Sequence, residues 1–520
     1  MENERITTTL KVNDAWYTTQ APYGSPILDF LRGELELKGT KEGCREGDCG
    51  ACAVLVGRPL KSLANGTELR VRYRAVPSCL LALGEVDGCH VITIEGLTAG
   101  ASEGLTPVMR AFLEENASQC GFCTPGFIIA LSSWLAEPVV PNMAGAMVAI
   151  DGNLCRCTGY GSIRRAAERL VKEFADLPLA EEERLRALVE RQVLPKSVLA
   201  FLEESEERGR RAAVATGATS AACAKKADGS VVIGGGTDYY VRNPAPDEDF
   251  APALLARRPE LAEIREVREG GRGWVEIGAA ATVHDFFASP LVRKAIPGIE
   301  NYETEFASTL IRNLATVGGN IANASPVGDL TSMLLGAGAV LVIGVASLAG
   351  VTGVNSTRTV PLEKFFLGYK KIDLIGSEAI LAVRVPEAEQ YAENESPLYF
   401  SFEKIAKRKR LDIASVNTAM SFRIVDGRFR DVHLSAGGIA PTPALLQKAV
   451  QIIEGNEFTH DSAKLAALAQ KTAGAAMAEI NPISDVRGTD SYRRDMLGRL
   501  IIAHFLKFFE NDGIGKVLFP

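Results

Sequence analysis

Residues 6–20 alternate apolar and polar positions on either side of Val12-Asn13-Asp14, which predicts a β-hairpin. Ser25-Pro26 follows, a capping residue ahead of a proline at the first helical position, and predicts a helix through Leu31. Residues 53–56 read as a strand. Beyond residue 104 the apolar spacing lengthens to the helical period, with helices expected over 106–115, 126–135, 144–150 and 163–174. Residues 176–212 are rich in Glu and Arg and broken by Pro178 and Pro195. They read as a linker with helical pieces whose charges form a solvated face. From 213 the chain turns to Gly, Ala and Val, with short strands expected at 231–233, 274–277, 340–345 and 379–385. The last stretch predicts strands over 419–425 and 432–435, then helices over 443–454, 463–481 and 492–510. This pattern divides the chain into an α+β domain (1–90), a small helical bundle (91–175), a linker (176–212), a mixed strand and helix domain (213–398) and a C-terminal α+β unit (399–520).

The stretch from Leu334 to Val354 carries no charge and is long enough to span a bilayer. Gly336, Gly338, Gly344, Gly350 and Gly353 interrupt it. It therefore reads as a short helix after Asp329, a buried strand over 340–345, and a glycine-bearing turn into another strand. The net charge of -7 gives neither a basic footprint for nucleic acid nor a polybasic membrane anchor. The N-terminus shows no apolar signal core, so a cytoplasmic location is expected, where thiols stay reduced.

Reduced thiols matter here because eight of the ten cysteines form two quartets. In the first, Cys44, Cys49 and Cys52 stand on one glycine-rich loop with gaps of four and two residues, and Cys79 follows. These gaps match the plant-type [2Fe–2S] spacing. Gly43, Gly47 and Gly50 let the backbone wrap closely, and their amides can tune a cluster. The second quartet pairs Cys120-x2-Cys123 with Cys155-x-Cys157. By itself it would also suit tetrahedral zinc, and a zinc-stapled binding protein without redox function is the alternative from another functional class. Beside a plant-type loop, a second cluster extends a path for single electrons. Cys89 and Cys223 are expected to be buried, inert thiols. The five histidines are scattered, none has a metal-ligand partner at helical spacing, and no hydrolase nucleophile–base motif is found.

Two glycine turns stand out in the middle domain. Val231, Val232 and Ile233 run into Gly234, Gly235 and Gly236, then Thr237 and Asp238. Thr316, Val317, Gly318, Gly319 and Asn320 form the second turn, followed by Ala324-Ser325-Pro326 and Asp329. Such turns can present amides to a pyrophosphate. The dinucleotide fingerprint is absent, since Tyr239 stands where its third glycine would be, so a Rossmann fold is disfavoured. A flavin would couple a hydride carrier to one-electron clusters.

Together these motifs resemble the molybdenum hydroxylases of the xanthine dehydrogenase family. The resemblance rests on residues 44–52, on Gln119-Cys-Gly-Phe-Cys-Thr-Pro-Gly126, on Cys155-Arg-Cys-Thr-Gly-Tyr160, on the two glycine turns, and on Lys404, the Asp412-Ile-Ala-Ser run and Gly437-Gly-Ile-Ala-Pro441. It covers nearly all of the chain except the linker. It implies a multidomain α+β protein: a β-grasp ferredoxin-like [2Fe–2S] domain, a four-helix-bundle [2Fe–2S] domain, a two-subdomain FAD-binding domain of the PCMH type, and a C-terminal CO-dehydrogenase-flavoprotein-like domain. By position it adds Phe306, Ile380 and Lys404 to the FAD-contacting residues 231–238, 316–320 and Asp329, with no side chain acting as a general base. Electrons would pass from a molybdenum centre through the bundle cluster and then the β-grasp cluster to FAD and NAD. The chain ends at Pro520, where full-length relatives continue, so a separate molybdopterin-binding large subunit is expected, with Gln119 facing it, in a higher-order hetero-oligomer. Xanthine dehydrogenase is the expected activity, with an aldehyde or other N-heterocycle hydroxylase as the alternative.

Overall fold

The N-terminal hairpin forms as its alternation predicts. In the computed structural model β1 (Thr8–Val12) and β2 (Ala15–Thr19) pair antiparallel, and Asn13 turns the chain with φ of 54°. Asparagine tolerates that left-handed backbone better than most residues. The structure describes residues 6–61, 69–99, 101, 104–214, 231–345, 357–387 and 398–519. Cys223, Gly350 and Gly353 lie outside the described residues. The chain divides into two compact units, one of residues 1–259 with 307–315 and the other of residues 260–306 with 316–520.

In the first unit, β3 (Ala53–Lys61), β4 (Leu69–Pro77) and β5 (His90–Ile92) join the hairpin in a sheet ordered β2-β1-β5-β3-β4. β1 and β5 are parallel and the remaining pairs antiparallel. The helical segment Ile27–Asp29, which continues as the wider turn Phe30–Glu34, lays Ile27, Leu28 and Leu31 against Leu10, Val54 and Val56. This is the β-grasp arrangement. Two expectations need correction. Ser25 is not the helix cap: its hydroxyl donates to the Pro22 carbonyl, and Pro26 precedes the helix. The last strand also runs beyond residue 90.

Four helices follow, Pro107–Glu114, Thr124–Ala136, Met143–Ala149 and Gly161–Glu173. Thr106 and Asn142 cap the first and third by accepting from the amides of Met109 and Gly145. Helix Thr124–Ala136 is apolar all round and buried along nearly its whole length, so the other helices pack about it. Residues 176–212 are more than a linker. Helices Glu181–Glu190 and Ser197–Val214 bury Leu185, Leu188, Val198 and Phe201 in the same core. Arg184, wholly buried, donates to the carbonyls of Leu135 and Pro178. Glu204 accepts from Lys11 and from the Trp16 indole, both at 2.8 Å, which ties the charged segment to the β-grasp sheet.

β6 (Val232–Ile233) and β7 (Ala253–Leu254) form a short parallel pair in the first unit. The second unit holds β8 (Ile264–Glu269), β9 (Arg272–Gly278), β10 (Val340–Val345), β11 (Arg358–Pro361), the short pair β12 (Phe366–Gly368) and β13 (Lys371–Ile372), and β14 (Glu378–Pro386). Its larger sheet is antiparallel in the order β11-β10-β14-β9-β8. A second antiparallel sheet runs β15 (Tyr399–Ile405), β16 (Val416–Val425), β17 (Arg428–Gly437), β18 (Ala444–Leu445). Helices Gln447–Ile453, Ser462–Glu479 and Asp490–Phe508 share its apolar core. In the uncharged stretch, helix Asp329–Gly336 and β10 form as read, and the turn expected after β10 lies outside the described residues. Among the described residues no helix is long and apolar enough to cross a membrane.

One buried charge sets a pH dependence. The Glu85 side chain is fully buried beside Cys89, Tyr240 and Asp87, its nearest cation is Arg58 at 3.5 Å, and neither carboxylate oxygen has a hydrogen-bond partner. Burial pushes its acid up to about 7, against the pull of Arg58 and Arg257. An acid raised in the folded state favours folding most at low pH and loses that contribution as pH rises toward 7. Wild-type stability should therefore fall by roughly 2–3 kcal/mol from this group between pH 5 and 8. Glu85→Gln should flatten that slope in denaturant titrations; an unchanged slope would refute the assignment.

Candidate iron–sulfur and flavin sites

The first quartet is drawn together by the end of the β-grasp sheet. Cys44, Cys49 and Cys52 sit on the loop before β3, and Cys79 on the turn after β4, held by the Ser78 amide donating to the Cys52 carbonyl. Gly47 and Gly50 take left-handed φ of 75° and 65°, which lets the loop curl. The thiols fall into two pairs. Cys52 and Cys79 lie 3.3 Å apart, and Cys44 and Cys49 are within hydrogen-bonding reach. The Glu46 amide donates to the Cys44 sulfur at 3.3 Å.

The second quartet sits between helix ends. Cys120 and Cys123 precede Thr124–Ala136, and Cys155 and Cys157 precede Gly161–Glu173. Again there are two pairs, Cys120 with Cys157 at 3.5 Å and Cys123 with Cys155. The Tyr160 hydroxyl accepts from the Cys155 amide at 3.0 Å, and Thr158 contributes an amide and a hydroxyl to the Cys155 sulfur. Cys120 and Cys157 are exposed whereas Cys155 is buried. The two cysteine loops touch. The Leu154 amide donates to the Cys49 carbonyl at 3.0 Å, and the buried Asn153 side chain donates to the Gly50 carbonyl.

The thiols in each pair oppose one another electrostatically. Hydrogen bonding to Cys49 and to neighbouring amides holds Cys44 down at about 5, while the same bond to Cys44 pushes Cys49 up. Cys79 holds Cys52 down and is itself raised. Burial and Cys155 push Cys123 up to about 12. Neighbouring thiols cannot both ionise without a cation to share, and iron supplies one. Two pairs per quartet match two irons, each with two protein thiolates. A single zinc ion needs four ligands about one point, whereas each quartet is drawn together as two pairs. The donor sets thus fit [2Fe–2S] clusters. Cys89 is a buried thiol apart from both quartets, and His504 is buried between Ser401 and Thr418.

The first glycine turn belongs to the first unit. Ile233 is buried while Val231 and Val232 are exposed, and Gly236 caps helix Thr237–Arg242 with φ of 69°. No backbone acceptor among the described residues takes the amides of Gly234, Gly235 or Gly236, which suits a phosphate. A Cβ on Gly235 would meet the Leu314 carbonyl oxygen at 1.8 Å. Asp238 pairs with Arg242 at 3.8 Å on this helix.

The second turn behaves otherwise. The amides of Val317, Gly318 and Asn320 donate to the carbonyls of Ala281, Ala279 and Thr316, and that of Gly319 to the Thr316 hydroxyl. The expectation that its amides meet a pyrophosphate is therefore corrected: they are already engaged. The free group is the Asn320 side-chain oxygen, buried without a partner. Gly318 rests on Ala279, whose amide donates to Leu381, so the turn lies against β14 where Ile380 is buried. Nearby in the second unit, Lys404 donates to Asp329 at 2.7 Å and to the carbonyl of Glu305, beside buried Phe306. Asn417, with no sequence signal, donates to the other Asp329 oxygen. Burial raises the Asp329 acid against the opposing pull of Lys404.

Comparison with known families accounts for most of the chain. Residues 10–83 match the family described as "2Fe-2S iron-sulfur cluster binding domain" and 93–168 that of a "[2Fe-2S] binding domain". Residues 211–388 match "FAD binding domain in molybdopterin dehydrogenase" and 401–508 "CO dehydrogenase flavoprotein C-terminal domain". Xanthine dehydrogenase of Drosophila pseudoobscura pseudoobscura is 29% identical over 534 residues, covering 92% of this chain and 37% of its own length. Xanthine dehydrogenase 1 of Arabidopsis thaliana is 29% identical over 504 residues, covering 84% and 35%. The chain thus spans little more than a third of these relatives. Among solved structures, carbon monoxide dehydrogenase from Hydrogenophaga pseudoflava, in a form lacking the Mo-pyranopterin moiety, is 28% identical with a TM-score of 0.43, covering 52% of this chain and 86% of that one. Quinoline 2-oxidoreductase from Pseudomonas putida 86 is 22% identical with a TM-score of 0.44, covering 54% and 90%.

Proposed function

We propose that this chain, which carries the iron–sulfur and FAD domains of the molybdenum hydroxylases, is the electron-transfer part of a xanthine dehydrogenase-like enzyme that hands electrons to NAD. The observation that carries the reading is the arrangement of eight thiols as two sets of two pairs within one unit, their loops in direct backbone contact. When bound, the clusters carry single electrons and FAD converts them to hydride chemistry. The chain's own residues hold and tune. The amides of Glu46 and Thr158 donate to sulfur, which favours the thiolate form. The open amides of Gly234, Gly235 and Gly236 suit the pyrophosphate, and the Asn320 oxygen an FAD donor group. Within the second unit, Phe306, Ile380, Asp329 and Lys404 would be the residues that hold the flavin. Asp329 and Lys404 neutralise each other, so this pair brings no net charge to the isoalloxazine.

The purine substrate rests on the names of the relatives, and hydroxylation falls to a molybdopterin-binding partner that docks near Gln119 in a hetero-oligomeric assembly in the cytoplasm. Purified protein should be brown, with about four irons per chain and bound FAD. It should oxidise NADH with an artificial dye as acceptor, yet not hydroxylate xanthine alone. Flavin-loaded protein that reduces no dye from NADH would rule out NAD as the acceptor. Colourless protein after anaerobic supply of iron and sulfide would end the redox reading.

A further inference from the structure

The residues flanking 307–315 on both sides belong to the second unit, yet these nine residues belong to the first. Ser308, Leu310 and residues 312–315 are buried. Ser308 opens the short helix Thr309–Arg312, and both Ser308 and Arg312 are wholly buried. Toward the second quartet, the Thr309 amide donates to Asp151 at 2.7 Å and its hydroxyl to the Val148 carbonyl. Arg312 donates to the other Asp151 oxygen at 3.3 Å and to the Thr309 hydroxyl at 2.8 Å. A Cβ on Gly152 would strike the Ser308 hydroxyl at 2.7 Å. Toward the first quartet, a Cβ on Gly47 would strike Ile311 at 2.6 Å, and Asn313 donates to the Ala75 carbonyl on β4, the strand leading to Cys79. Leu314 meets Gly235 of the first glycine turn.

One short segment therefore touches both cysteine loops, between Cys44 and Cys49 on one side and four residues before Cys155 on the other. We propose that residues 307–315 are a strap that fixes the register of the two quartets, and that Asp151 and Arg312 are its positioning residues. The physical reason is rigidity. A buried ion pair tied to neighbouring hydroxyl and backbone groups has few alternative arrangements, and losing one partner leaves a costly lone charge. The strap does not ligate iron. It holds the Leu154-to-Cys49 backbone hydrogen bond in place, which is the shortest bonded connection between the loops. Exchange of a single electron between the quartets depends steeply on that geometry and moves no proton or bond. The inference rests on the iron–sulfur reading above.

The test is Asp151→Asn with Arg312→Met, which removes both charges together, beside Arg312→Lys, which keeps the charge but loses the fork. Iron and flavin per chain are measured with low-temperature EPR of the fully reduced protein. Both variants should keep the iron and flavin of wild type. The magnetic splitting that two nearby reduced clusters impose on each other should shrink in the double variant and stand between the two in Arg312→Lys. Amide exchange at Leu154 should accelerate in the same order. Wild-type splitting in an iron-replete double variant would overturn the proposal. So would loss of iron from either quartet, since the pair would then merely support a ligand loop. Should the double variant not fold, Arg312→Lys decides alone: unchanged splitting overturns the strap and reduced splitting sustains it. Wild-type protein without iron would instead overturn the functional reading, and the strap with it.

Discussion

Cys155→Ser should leave a protein with about two irons per chain in place of about four, and with one EPR signal lost. Cys155 is buried and faces Cys123, and its sulfur receives the Thr158 amide and lies beside the Thr158 hydroxyl. Its loss leaves Cys123 without a partner on the same iron, while Cys120 and Cys157 remain an exposed pair. The first quartet should be unaffected, because its four sulfurs come from the β-grasp loop and the turn after β4. FAD should stay bound, since the expected flavin contacts lie at residues 231–238 and beyond residue 305. Iron analysis, flavin analysis and EPR decide the matter together. Two unaltered signals would mean that the ligand set is wrong, and loss of both signals would mean that the quartets do not act as separate sites.

Lys404→Met should destabilise the chain by about 3–5 kcal/mol. Lys404 and Asp329 are almost fully buried, and removing the ammonium strands a carboxylate that keeps its hydrogen bond from Asn417. Burial already raises the Asp329 acid against the pull of Lys404, so it should rise further in the variant. The sign follows: the deficit is greatest at neutral pH, where the stranded group is ionised, and shrinks as pH falls and the carboxyl takes up a proton. Lys404→Met with Asp329→Asn should recover much of the loss, since neither charge is then left alone. Chemical denaturation of the three variants at pH 7 and pH 5 measures this. A pH-independent deficit would show that Lys404 acts through packing of its stem.

The cysteine sites were legible because ligation imposes short, fixed gaps, and helix Thr124–Ala136 because an apolar run interrupted only by Ser132 and Ser133 leaves few alternatives. The β10 strand was legible because glycines bound it. Other features depend on groups far apart in the chain. Helices Glu181–Glu190 and Ser197–Val214 carry Glu and Arg at most outward positions, and this density concealed the sparse apolar row of Leu185, Leu188, Val198 and Phe201. Arg184 and Glu204 look like solvated charges until the carbonyl of Leu135 and the Lys11 ammonium are brought to them. The second glycine turn was found by its motif, but its amides are consumed by Ala279 and Ala281, whose approach no local pattern announces. Asn417 and Arg312 carry no motif at all; only burial beside Asp329 and Asp151 gives them meaning.

The burial of Phe201 and Leu188 also dictates where this protein can be cut. A fragment ending at residue 175 would strip Phe201 from Trp16 and His90, expose a greasy face and strand the Lys11 ammonium in a dry niche. Such a piece would aggregate. One carried through residue 207 would retain that cover, so nicking by a protease should spare the Glu- and Arg-rich stretch despite a composition that advertises accessibility.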